Sequence, residues 1–220
     1  MPTLYLSPQW FYGYDIILEA IFAIISLAIA LFAFWIYQAS GQKPAKFLGL
    51  SFLLISLAYV VQSVFNYLIL SRQNSLVCQA IQLSSVADLD FIGWFAHVVL
   101  MLGGYIILVY MAWKPSRSRT IWLLLAITLI ALVYSSNMLM TYYLVGAIYL
   151  AIISWHYIEH FLANKQTKSL LVALAFVFLF FGSFHFFLSV NHELFYILGQ
   201  FLELLAYCLI LTNLYLVLKK

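Results

Sequence analysis

Seven apolar stretches of about 17–25 residues, broken by short polar turns, constrain this chain more than any other feature. Each is long enough to cross a bilayer as a helix. The spans are expected at about residues 15–37, 47–70, 89–113, 121–138, 142–162, 170–189 and 194–218. Only 8% of the residues are charged, against roughly 25% in a soluble domain. The expected fold is therefore all-α: an integral membrane bundle of seven transmembrane helices in one domain, residues 1–220. No stretch between the spans has the length for a second domain. Before the first span there is no basic segment of the kind that opens a cleavable signal. The first helix is expected to act as its own insertion signal.

The basic residues set the expected orientation. Lys43 and Lys46, then Lys114, Arg117 and Arg119, then Lys165 and Lys168, then Lys219 and Lys220 all fall on one side. Arg72 alone falls on the other. The positive-inside rule then predicts the N-terminus outside and the C-terminus in the cytoplasm, with the cell membrane as the location. The net charge of +3 is spread through these turns, so it reads as a topology signal and not as a nucleic-acid surface. Cys78 and Cys208 are expected on opposite sides of the membrane, which excludes a disulfide between them.

Aromatic residues Trp10, Phe11, Tyr12 and Tyr14 are expected to anchor the N-terminus at the headgroup level. The turns are expected at 38–46, 71–87, 114–120 and 164–168. Within the second of these, the run 76–86 has the pattern of a short surface helix.

The last span carries the costliest group. Tyr196, Gln200, Glu203 and Tyr207 stand at i, i+4, i+7 and i+11, which is one helical face. Glu203 lies roughly 15 Å deep at 1.5 Å per residue. A carboxylate there costs about 2.5–3.5 kcal/mol on insertion scales, so it should face protein or water and not lipid. Other spans put polar groups into the outer half of the bundle. Glu19 lies in span 1, Gln62 and Asn66 in span 2, His97 in span 3 and His185 in span 6. The expectation is an outward-opening polar pocket lined by Glu19, Gln62, Asn66, His97, His185, Gln200 and Glu203, walled by Tyr59, Trp94, Tyr196 and Tyr207. The competing reading makes these side chains interhelical contacts worth about 0.6 kcal/mol each. The glycine pair Gly103–Gly104 is expected to allow close helix approach.

Such a pocket suits a small ligand or ion. A sensor- or receptor-like module, or an accessory membrane subunit, is favoured over catalysis. The layout is shared with seven-helix receptors and sensor input domains, by fold alone. The third span ends without an acidic-Arg pair, and the seventh has no Asn-Pro-x-x-Tyr run and no mid-membrane lysine for a retinal Schiff base. Two alternatives use the histidines. His97 and His185 on different helices fit the crude requirement for one bis-His haem. With Glu203 they fit a three-ligand divalent metal site, as in a metal-dependent hydrolase. His156 and His160 stand at i, i+4 beside Glu159, but the zincin pattern is absent. These three are expected at the inner interface. A small transporter is the remaining alternative, disfavoured because all four prolines lie outside the spans. Any signal would have to leave through a protein partner at the basic cytoplasmic turns.

Overall fold

In the computed structural model, residues 8–73, 86–113, 119–189 and 192–218 are described. Among them the structure is a short 3-10 turn, Gln9–Phe11, followed by seven helices. These are α1 (Tyr12–Ser40), α2 (Lys43–Gln73), α3 (Val86–Trp113), α4 (Arg119–Val133), α5 (Met138–Asn164), α6 (Thr167–Ser189) and α7 (Leu194–Leu218). Six of them, all but α4, are long and apolar enough to cross a membrane. At 23–31 residues they measure roughly 35–46 Å.

The distribution of side chains is that of a protein solvated by lipid. Along α1, Ile17, Ile24 and Leu31 are 58%, 68% and 61% exposed, whereas Asp15, Glu19 and Ser26 are buried. Water would penalise this arrangement, and lipid requires it. The core draws on all seven helices, with Phe22, Ile55, Val98, Leu132, Leu150, Phe176 and Tyr207 in one cluster.

Successive helices pack against one another, and the ring closes between α7 and α1, with α3 also against α5. Contacts fix the directions. Asn66, late in α2, meets Glu19, early in α1. Lys168 at the start of α6 donates to the carbonyl of Leu216 near the end of α7. Phe11, just before α1, meets Tyr196 near the start of α7. Neighbours in sequence are thus antiparallel, and α1 and α7 are parallel.

The turns are tighter than expected from sequence. The first shrinks from 38–46 to Gly41 and Gln42, because Gly41 takes φ 67° and its N–H caps the carbonyl of Tyr37. Lys165 closes α5 in the same way at φ 50°, leaving a two-residue turn before α6. Residues 71–73 continue α2, residues 86 and 87 open α3, and Arg119 and Thr120 belong to α4. Polar residues extend these helices because the water and headgroups beyond the hydrocarbon tolerate them. The surface-helix expectation falls mainly on 74–85, which lies outside the described residues, as do Lys114, Arg117, Lys219, Lys220 and Cys78.

The fourth span needs correction. It was expected over 121–138, but α4 ends at Val133, since Asn137 caps α5 by accepting from the N–H of Met140 at 3.1 Å. Ser135 supports that cap through the N–H of Asn137 at 3.2 Å. Fifteen residues span roughly 22 Å, short of a hydrocarbon core of about 30 Å.

Candidate functional site

At the end of the bundle where α1 begins, six helices surround a cavity of about 90 Å³. Its wall takes Glu19 from α1, and Tyr59, Gln62 and Asn66 from α2. Helix α3 contributes Trp94, His97, Met101 and Tyr105, and α5 contributes Leu139, Tyr142, Tyr143 and Gly146. Ser183 and Phe186 come from α6, and Tyr196, Gln200 and Glu203 from α7. Helix α4 does not reach it.

Helical spacing explains the wall. Tyr196, Gln200 and Glu203 share one stripe of α7, as 59, 62 and 66 do on α2, and 94, 97, 101 and 105 on α3. In lipid each stripe of polar or amphipathic groups must turn inward.

Three hydrogen-bond chains hold the wall. In the first, Asn66 donates from Nδ2 to both carboxyl oxygens of Glu19, at 2.9 and 3.0 Å, and Gln62 donates to Asn66 Oδ1 at 3.4 Å. A carboxyl that accepts twice needs the amide nitrogen turned towards it, which fixes the orientation of Asn66. In the second, the hydroxyl of Tyr207 donates to that of Tyr59 at 3.1 Å, and Tyr59 donates to Glu203 Oε2 at 2.9 Å. In the third, His97 Nδ1 lies 3.0 Å from the carbonyl of Ala58, so this nitrogen carries the proton and donates. The other ring nitrogen, Nε2, then accepts from the hydroxyl of Tyr142 at 3.2 Å.

Asn66→Ala is expected to lower stability by about 1.5–3 kcal/mol, because the hydrogen bonds it removes serve a buried carboxyl group. Reversible unfolding in mixed micelles measures this. A loss of only about 0.6 kcal/mol would rank Asn66 with ordinary interhelical contacts.

Of the residues expected to line a pocket, Glu19, Gln62, Asn66, His97, Gln200 and Glu203 do line this cavity, as do Tyr59, Trp94 and Tyr196. Two do not. Tyr207 is wholly buried below the cavity, where it packs with Phe22, Phe52 and Tyr59 at ring separations of 5.5, 6.4 and 6.0 Å. His185 lies outside the lining. Its Nδ1 donates to the Phe181 carbonyl of its own helix at 2.7 Å, and its ring lies against Phe195. The ring thus lies between its own helix and Phe195 of α7.

His185 is therefore absent from the lining that His97 and Glu203 share. Both ring nitrogens of His97 are also occupied by protein partners. Among the described residues no three metal-capable side chains gather. At the other end of the bundle, His160 donates from Nδ1 to Ser169 at 2.8 Å and accepts from Asn164 at Nε2. Glu159 accepts from the Trp155 indole at 2.8 Å. These contacts clamp the α5–α6 turn.

The sequence reading missed Tyr105, Tyr142 and Tyr143. Tyr105 continues the stripe of His97 and Met101 by one more turn. Tyr142 and Tyr143 fall at the start of the fifth expected span, where aromatic residues are common. The chain matches no known protein family, no curated protein and no solved structure.

Proposed function

We propose that this protein is a membrane-embedded binding module, sensor- or receptor-like or an accessory subunit, that takes a small ligand or ion in the cavity between α1, α2, α3, α5, α6 and α7. The observation that carries this reading is the convergence of six helices' polar groups on one site about 14 Å down α7. Interhelical contacts alone need no shared cavity. They pair off two by two along the bundle, as Ser56 does with the Ala23 carbonyl. The aromatic layer of Phe22, Phe52 and Tyr207 beneath Glu203 supports binding over conduction.

Lys43, Arg119, Lys165 and Lys168 stand at the opposite end of the bundle from the cavity, by the antiparallel order of the helices. By the positive-inside rule that end faces the cytoplasm, the cavity opens outward, and the chain crosses the cell membrane seven times. For α4 this requires local thinning of the bilayer or additional residues beside Arg119. A protein partner would meet the basic turns.

Thiol labelling tests this. In a Cys78→Ser, Cys208→Ser background, Leu139→Cys on the cavity wall is expected to react with a membrane-impermeant maleimide on intact cells. Gln42→Cys, in the α1–α2 turn, should react only after permeabilisation. The reverse pattern would overturn the orientation. Unreactive Leu139→Cys in opened membranes would overturn the open cavity.

A further inference from the structure

We propose that the ligand is a small cation of the ammonium type, an inference that rests on the cavity being a binding site. The charges of the wall and two of its buried oxygens point that way. Among the described residues no lysine or arginine lines the cavity, and two glutamates do. Each amide of the wall donates within the wall itself. Asn66 gives its amide to Glu19, Gln62 to Asn66, and Gln200 to the hydroxyl of Tyr196 at 3.1 Å.

Two buried oxygens of the wall are left without a donor. The carbonyl oxygens Oε1 of Gln62 and Gln200 are buried with no hydrogen-bond partner among the described residues. Gln200 itself is 95% buried, at 5% exposure. Buried acceptors without donors are rare in folded proteins and call for an explanation, and a donor-bearing ligand supplies one. An anion would find no cation to meet it among the described residues and would face two glutamates. An ammonium ion finds acceptors, carboxyl groups and the aromatic rings of Trp94, Tyr105, Tyr143 and Phe186, and a cation over the face of such a ring is attracted to it.

Size narrows the class. An apolar cavity of roughly 150 Å³ accepts benzene. On that scale about 90 Å³ holds about three or four non-hydrogen atoms. Ammonium, methylammonium and ethylammonium fit within it. A divalent metal is disfavoured, because no three metal-capable side chains gather among the described residues.

The test is calorimetric titration of the full chain in phosphatidylcholine nanodiscs with methylammonium, and with methanol, acetate and potassium as comparison probes. Methylammonium is expected to bind saturably and in preference to the other three. Glu203→Gln keeps an acceptor for Tyr59 and should still fold, yet is expected to weaken methylammonium by about tenfold or more. His185→Ala, outside the cavity, should leave binding unchanged. Methanol binding equally well, indifferent to Glu203→Gln, would overturn the cation while leaving the pocket standing. So would preference for acetate or potassium. No binding of any probe, with Leu139→Cys unreactive as well, would overturn both readings.

Discussion

Gly104→Val is expected to destabilise the bundle by about 1–3 kcal/mol, the usual range for overpacking, whereas Gly103→Ala is expected to be neutral or slightly stabilising. The two glycines are neighbours in sequence and differ in what faces them. A Cβ on Gly104 would meet Ile55 Cγ1 at 2.8 Å and the backbone oxygen of Ser51 at 3.0 Å. A side chain can rotate away, but the α2 backbone cannot move without shifting the helix that carries Tyr59, Gln62 and Asn66. At Gly103 the nearest atom to an added Cβ is Leu54 Cδ1 at 3.7 Å, an ordinary contact. Alanine there gains the helix preference lost at glycine, up to about 1 kcal/mol. Thermal unfolding of the two variants in one detergent decides the matter. Equal melting points would mean that α2 and α3 do not pack closely at Gly104.

Glu203→Leu is expected to move two measurements in opposite directions. Insertion of α7 as an isolated helix should become easier by up to about 2.5–3.5 kcal/mol, the cost of a carboxylate at mid-membrane. Stability of the assembled bundle should fall by about 1–3 kcal/mol, because the Tyr59 hydroxyl loses its acceptor at 2.9 Å and the Tyr207–Tyr59 chain loses its end. Both effects share one cause. Glu203 is costly alone in lipid and satisfied in the bundle, so it favours assembly over the dispersed inserted helices. Glu203→Gln should change stability little, since an amide oxygen can replace the carboxyl oxygen. A glycosylation-reporter insertion assay and equilibrium unfolding measure the two quantities. If leucine raised both, Glu203 would be a cost without a structural return.

The existence and rough extent of the helices were legible from sequence, because the hydrocarbon thickness sets a minimum apolar length that only a few segments meet. So was the inward stripe of α7, since helical spacing places Gln200 four residues after Tyr196 and Glu203 seven after it. The shared end of the polar groups on α1, α2, α3 and α7 followed from counting residues along antiparallel spans. Sequence spacing gives depth along a helix but not rotation against its neighbours. Nothing in the run around His185 distinguishes a ring that faces the bundle from one that binds its own helix at Phe181. Only tertiary packing decided that, and with it the absence of His185 from the lining that holds His97. Packing also put Tyr207 beneath the cavity instead of in its wall, and brought Tyr142 and Tyr143 of α5 to it through the α3–α5 contact. The end of α4 depended on a third kind of information, the side chain of Asn137 closing the first turn of α5. The bilayer dictates which groups must be hidden, while the close fit of one helix against the next selects the partners that hide them.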